Sequence, residues 1–305
     1  MSLMRPILNL WLRWTEKPHL ARTARPVDLR KAFEVKARLF FRAPRGTDFR
    51  DDVLTHEGAQ VPVHWAVAPG ARPGPVLLYF HGGGYVFGSP RTHRAMLARL
   101  SALSGLPACL PGYRLAPEHA FPTAVEDALT AYRALAGHPG GVVLGGDSAG
   151  GGLALALLGE ITRLGLAQPL GCFAFSPLTD LTFSGESFVH NARAEVILPA
   201  TRAPEMGRLY LAGADADDPR ASPLTADFKG AAPVWLVVGD TEILLDDTRR
   251  MAARLEAQSV PVHCKIEHDL PHVWPLFQGV LPEAQATLRQ LAGWIKALSC
   301  RQGES

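Results

Sequence analysis

Gly146-Asp147-Ser148-Ala149-Gly150-Gly151 sets a serine among glycines, directly after the apolar run Gly141-Val142-Val143-Leu144 and directly before the Ala/Leu-rich run Leu153 to Leu158. The order reads strand, sharp turn, helix. In the G-x-S-x-G spacing the glycines permit a strained backbone that lifts the serine hydroxyl out of the fold, where a flanking Cβ would clash. A helix starting near Ala149 points its N-terminal N–H groups and positive dipole end at the same spot, which stabilises negative charge developing there. The chemistry this suits is nucleophilic attack by Ser148. A serine hydroxyl is weak alone, so the chain must also supply a base, an orienting acid and an oxyanion hole.

His81-Gly82-Gly83-Gly84 follows an apolar run ending in Tyr79-Phe80. Three glycines after a strand let consecutive backbone N–H groups face one point, and with the N–H of Ala149 they make an oxyanion hole from Gly82, Gly83 and Ala149. A phosphate cradle is the competing reading, but no Gly-Lys-Ser/Thr follows and no G-x-G-x-x-G opens a helix. The base must be a histidine, because imidazole can take the serine proton and return it to a leaving group near neutral pH. The serine turn and the triple glycine resemble those of α/β-hydrolases, and the resemblance implies that the acid and then the histidine follow along the chain, the histidine after the last strand. His272, in Pro271-His272-Val273-Trp274, fills that slot; His268 is the runner-up. The acid belongs after the penultimate strand, where Asp240, Glu242, Asp246 and Asp247 stand together. Some of these can serve only as helix caps, and chemistry alone does not choose between Asp240 and Glu242.

These residues need a scaffold, and the pattern from Pro75 onward supplies one. Short β-branched runs alternate with amphipathic ones, the signature of βαβ units around a mostly parallel sheet. The runs predict strands at Val76 to Phe80, Pro107 to Leu110, Val142 to Leu144, Cys172 to Phe175, Val234 to Val238 and Val262 to Ile266. Helices are predicted at Thr92 to Leu103, Pro122 to Leu135, Ala149 to Arg163, Asp246 to Gln258 and Pro282 to Leu298. Ala59 to Ala68 alternates like a strand and is expected to open an antiparallel edge. Two stretches break the rhythm: residues 1 to 45, with helical patterns at Pro6 to Trp14 and Val27 to Phe41, and Phe183 to Leu211. Their Leu, Trp, Phe and Met content must cover something, and a lid over a substrate pocket is the expectation.

With 305 residues, 47% of them hydrophobic and 20% charged, the chain buries a sizeable core. The formal net charge of +2 from 31 basic and 29 acidic residues gives no reason to expect nucleic acid as a partner, so a small uncharged molecule is expected. Cys109, Cys172, Cys264 and Cys300 are far apart without a C-x-x-C, which reads as buried free thiols rather than a metal site or disulfide framework. No stretch is long and apolar enough to span a bilayer, and the N-terminal apolar run lacks a cleavage site, so a cytoplasmic protein is expected.

Taken together, His81-Gly82-Gly83-Gly84, Tyr113-Arg114-Leu115-Ala116-Pro117-Glu118-His119 with Phe121-Pro122, the Ser148 turn, Asp218-Pro219-Arg220-Ala221-Ser222-Pro223-Leu224 and the acidic loop resemble the hormone-sensitive lipase family of microbial esterases. The resemblance implies an α/β-hydrolase fold, a mostly parallel central sheet flanked by helices. A small helical cap would come from residues 1–45 and 183–215, on a core of residues 46–182 and 216–305. It implies a cofactor-independent carboxylesterase acting on short- to medium-chain esters through an acyl-enzyme; an amidase, an acyltransferase or a non-catalytic binding protein on the same fold are the alternatives. The family's Asp-Pro-Leu-x-Asp motif, laid over Glu242-Ile243-Leu244-Leu245-Asp246, puts Glu242 at the catalytic position in place of the commoner aspartate. It further implies that Arg114, Glu118 and Asp147 brace the serine turn through buried charge pairs, and that Val234 to Val238 lies near a sheet edge able to pair across a homodimer.

Overall fold

The computed structural model describes residues 2–301, the side chains of 300 and 301 excepted. Eight strands form one sheet: β1 (Asp48–His56), β2 (Ala59–Val67), β3 (Val76–Phe80), β4 (Ala108–Pro111), β5 (Val142–Asp147), β6 (Gly171–Phe175), β7 (Val234–Gly239) and β8 (Val262–Glu267), in spatial order β1-β2-β4-β3-β5-β6-β7-β8. β1 to β2 and β2 to β4 pair antiparallel, and all other pairs are parallel. Parallel neighbours require crossovers; the helices α3 (Pro90–Ser104), α4 (Thr123–Leu135), α5 (Ser148–Arg163) and α8 (Leu245–Ala257) supply four of them, and α9 (Pro282–Arg301) follows the last strand.

Both faces of the sheet are covered, which is why its central strands read as unbroken apolar runs. The two-residue period of a strand divides each run between two cores. Val76, Leu78, Phe80, Val142, Leu144, Cys172, Ala174, Val234 and Leu236 face α4, α5 and α8, whereas Leu77, Tyr79, Val143, Phe173, Phe175, Trp235 and Val237 face α3 and α9. Local signals fix the helix ends: Ser89 and Thr92 form a capping box at the start of α3, and Gly105 at φ +82° closes it in the left-handed region.

The structure departs from the sequence expectations in four places. β1 carries Asp48, Arg50, Asp51 and Asp52 and is mostly exposed, so its charges hide the alternation that marks a half-buried strand. It forms because a tight turn at Glu57 (φ +48°) and Gly58 (φ +82°) folds it onto β2 with register Asp48↔Val67 to His56↔Ala59. β1, not β2, is therefore the antiparallel edge. At the opposite side β7 lies between β6 and β8, so Val234 to Val238 has no free edge for pairing across a dimer; β8 holds that edge. Of the cysteines, Cys109 and Cys172 are buried and Cys264 is exposed on β8, against the expectation of burial; the Cys300 side chain lies outside the described residues.

Outside the layers stand α1 (Met4–Arg22), α2 (Pro26–Phe40), α6 (Ser187–His190) and α7 (Ala203–Leu211). Arg30 of α2 ties this material down: its guanidinium donates to the carbonyls of Val86 and Ala116 at 2.8 Å and pairs with Glu118 at 2.7 Å. Among the described residues no helix is long and apolar enough to cross a membrane.

Candidate active site

Ser148 sits at the junction of β5 and α5 with φ +52°, a left-handed value costly for a side-chain-bearing residue and sustained only where the surroundings over-determine it. Close backbone approach explains the glycines on either side. A Cβ on Gly146 would lie 2.1 Å from the Gly150 carbonyl oxygen, and one on Gly150 would lie 2.1 Å from that of Phe80 and 2.4 Å from that of His81. Beneath the turn, Asp147 is buried and receives a hydrogen bond from the Tyr79 hydroxyl at 2.7 Å, from the Gly82 N–H at 3.0 Å and from His93 Nε2 at 3.3 Å. Burial alone would raise its carboxyl, but the charge and hydrogen bonds of His93, with Tyr79 and His81, hold it below the usual carboxylate range.

Asp147 thus braces the turn as the resemblance implies, while Arg114 and Glu118 do not. Arg114 is half-exposed and pairs with Asp127 of α4 at 2.6 Å, and Glu118 is exposed and pairs with Arg30. Both anchor the loop before α4 instead of the serine.

The two acid candidates have separate partners. Glu242 Oε2 accepts the Nδ1–H of His272 at 2.6 Å, and both side chains are buried. Glu242 Oε1 accepts the Ser176 hydroxyl at 2.8 Å and the Gly239 N–H at 2.6 Å, so three donors from three segments fix the carboxylate. Burial opposes a charge on His272, yet the hydrogen bond and charge of Glu242, with Glu195 and Asp147 behind, raise its pKa above the ordinary 6.5. Asp240 Oδ2 instead meets His268 Nδ1 at 2.7 Å on the surface, and its Oδ1 accepts the Asp269 N–H at 2.7 Å. The runner-up base and the runner-up acid are thus paired with each other. Asp246 and Asp247 serve structure: Asp246 accepts the Ser187 N–H, and buried Asp247 accepts the N–H groups of Thr179 and Asp180.

Ser148, His272, Gly82, Gly83 and Gly84 open on one apolar cavity of about 450 Å³. Its walls include Leu8, Leu12, Leu29 and Phe33 from α1 and α2, Ile197, Leu198 and Met206 from the stretch around α7, and Val273 with Phe277 beyond His272. Of the expected oxyanion donors, Gly82 is not free, because its N–H is the one held by Asp147. Gly83 (φ +125°) and Gly84 (φ +59°) adopt backbone conformations suited to glycine, and Ala149 lies in the first turn of α5, where N–H groups lack intrahelical acceptors. Among the described residues no group of three or more His, Cys, Asp or Glu is arranged to hold a metal ion.

Three residues absent from the sequence reading support the acid loop. Ser176, at φ +48° just past β6, also accepts the Val273 N–H at 3.2 Å and so links both sides of the Glu242–His272 pair. Its place beyond a strand's carboxyl end is the one signal that could have found it. Asn191 Nδ2 donates to the carbonyls of Asp240 at 3.0 Å and Glu242 at 2.8 Å, and buried Glu195 accepts from Ile197 N–H at 2.8 Å and Ile243 N–H at 3.3 Å. Burial raises the Glu195 carboxyl, with the charge of Glu242 adding to it against the pull of His272. Lys17 of α1 in turn donates to the carbonyls of Ala192 and Glu195, at 2.8 and 2.7 Å. Nothing in the local sequence marks Asn191 or Glu195.

A family model described as the α/β hydrolase fold matches residues 77–276. The acetyl-hydrolase of Streptomyces hygroscopicus is 36% identical over 233 residues, 75% of this chain and 78% of that protein. The esterase of Acinetobacter venetianus is 33% identical over 227 residues, 73% and 75% of the two chains. Among solved structures, an esterase from the bacterial hormone-sensitive lipase family superposes with a TM-score of 0.89 at 36% identity, over 98% of this chain and 99% of that one. EstE5, soaked with p-nitrophenyl butyrate, does so at 0.90 and 36% identity, over 98% and 100%. The chain belongs to the α/β-hydrolase fold family, in its bacterial hormone-sensitive lipase branch.

Proposed function

We propose that the protein is a carboxylesterase in which Ser148 is the nucleophile, His272 the base and Glu242 the acid. Ser148 Oγ attacks the ester carbonyl as its proton passes to His272. Glu242 holds the imidazole tautomer and stabilises the imidazolium, which then protonates the departing alcohol. Backbone N–H groups of Gly83, Gly84 and Ala149 receive the oxyanion, and a water activated by His272 releases the acyl group. Residues 1–45 and 183–215 act as the cap that closes the pocket from water.

The observation that carries this reading is the buried Glu242–His272 pair, 2.6 Å apart, whose histidine lines the same apolar cavity as Ser148. The dimensions of that cavity favour small, uncharged esters with short to medium acyl chains. The names of the relatives, acetyl-hydrolase and esterase, support the same reaction class. The proposal includes a cytoplasmic setting, where the thiols of Cys109, Cys172 and Cys264 stay reduced, and a homodimer, which would pair through the free edge of β8. The test is hydrolysis of a p-nitrophenyl ester series by the wild type, Ser148→Ala, Glu242→Ala and Asp240→Ala. Turnover should peak at short or medium chains, vanish without Ser148, fall about 10³- to 10⁴-fold without Glu242 and persist without Asp240. Rates rising steadily from butyrate to palmitate would overturn the chain-length assignment, and a dead Asp240→Ala beside an active Glu242→Ala would overturn the acid.

A further inference from the structure

The near-neutral total charge conceals a division. Residues 1–45 hold 11 basic and 3 acidic residues, a net of +8, against 20 basic and 26 acidic in the rest, a net of −6. Each of the three acids is already engaged: Glu16 pairs with Lys36 at 2.6 Å, Asp28 with Arg25 at 2.7 Å, and Glu34 accepts the Ser89 hydroxyl at 2.9 Å. Arg22, Lys31, Arg38, Arg42 and Arg45 are exposed.

The same helices present apolar side chains outward. On α1 and the residue before it the spacing Leu3, Ile7, Leu10, Trp14 is that of one helix face, and these are 85%, 59%, 59% and 73% exposed. On α2 Val35, Leu39 and Phe40 are 51%, 63% and 58% exposed. Trp11 packs edge-on against Phe40 with ring centroids 6.0 Å apart, which joins the two faces into one. Arg22 continues the edge of this face two turns beyond Trp14, Lys31 lies one turn before Val35, and Arg38 and Arg42 flank Leu39 and Phe40. Met4, Ile7, Trp11 and Phe40 belong both to this face and to the wall of the active-site cavity, so the cavity mouth lies within it.

Exposed Leu and Trp rimmed by Lys and Arg on an amphipathic helix is the composition of a helix lying in a membrane interface. Pairing with a second copy through this face would oppose two basic surfaces, whereas an anionic surface complements it. We propose that the α1–α2 face docks on an anionic lipid surface, with the mouth of the ester pocket turned toward the lipid. The face lies on the lipid without crossing it, and esters dissolved in that layer reach Ser148 by the shortest path. The pocket's use rests on the esterase reading; the docking does not.

The test is co-sedimentation of the full chain with vesicles of phosphatidylcholine alone or mixed equally with phosphatidylglycerol, at low and high salt. Two variants accompany it: Leu10→Asp/Trp14→Asp/Leu39→Asp, whose positions do not line the cavity, and Arg22→Glu/Arg38→Glu/Arg42→Glu. The wild type should bind the anionic vesicles at least about tenfold more tightly than the neutral ones, and salt should weaken that binding. Each variant should lose most of it while hydrolysing soluble p-nitrophenyl butyrate at the wild-type rate. The proposal is overturned if anionic vesicles are not bound, if binding ignores lipid charge, or if it survives both variants. A dimer dissociated by the same substitutions, without vesicle binding, would assign the face to a second copy instead. Because sedimentation reads binding without turnover, an inactive enzyme that still binds would overturn only the esterase reading.

Discussion

Glu242 and Asp240 stand two residues apart in one loop, and their surroundings set them to different tasks. Glu242 is buried with both carboxylate oxygens engaged, by His272, Ser176 and Gly239, while Asp240 holds a surface turn through His268 and Asp269. Asp240→Asn should leave kcat/KM within a few-fold of wild type and cost only surface stability, measurable in Tm. With the proposed triad, the acid limb of the pH profile reads His272 directly, because only a neutral imidazole accepts the serine proton. Its pKa lies above 6.5, so kcat/KM should rise with pH through a midpoint on the alkaline side of 6.5. In Glu242→Gln the largest raising influence is gone and burial is left to act, so the midpoint of the residual activity should move to lower pH; a midpoint that stays put would remove Glu242 from contact with the base.

At the scale of elements, the serine turn and the glycine loop after β3 are in contact through Gly150, with no space for a methyl group between them. Gly150→Ala must push β3 and α5 apart; overpacking of this kind costs about 1–3 kcal/mol or more, and the displaced loop carries Gly83. Tm should fall by several degrees and activity by more than any loss of folded protein explains. α8 provides a second case. Burial lifts the Asp247 carboxyl from 3.8 to about 7, with Asp180 adding to it. Between those values the folded chain holds a proton that the unfolded chain releases, so this group's stabilisation is complete at low pH and lost as pH rises through about 7. Asp247→Asn keeps the acceptor for Thr179 and Asp180, and its Tm should depend less on pH over that range. Elements whose run is both apolar and covered on two faces, such as Val142 to Leu144 or Val234 to Val238, were legible because burial itself writes the pattern. β1 was not, because its partner and turn create it despite its charges. Order and spacing singled out Ser148, His272 and the pair Asp240 and Glu242, which the structure places near one another, but Gly82's engagement by Asp147 depends on a side chain crossing from β5 to the loop after β3, and spacing along one chain does not encode it.

For the whole molecule, the parts divide by what holds them. The sheet and its two cores fix Ser148, His272 and Glu242, while α1 and α2 attach from outside through polar ties such as Arg30 to Val86 and Ala116, and Lys17 to Ala192 and Glu195, and through apolar contacts such as Phe33 on Phe87. The two-sided cover of the sheet followed from composition and periodicity; the segregation of charge did not, since a total of +2 averages over it. The close contact at Gly150 has a further consequence for how such an enzyme can diversify. With no free space between the Ser148 turn and the glycine loop after β3, neither can be retuned without the other, and selection or a designed library gains nothing by searching there. New substrate preferences have to come from Phe33, Ile197, Leu198 and Met206, wall positions whose replacement alters the shape of the pocket and leaves the reacting atoms where they are.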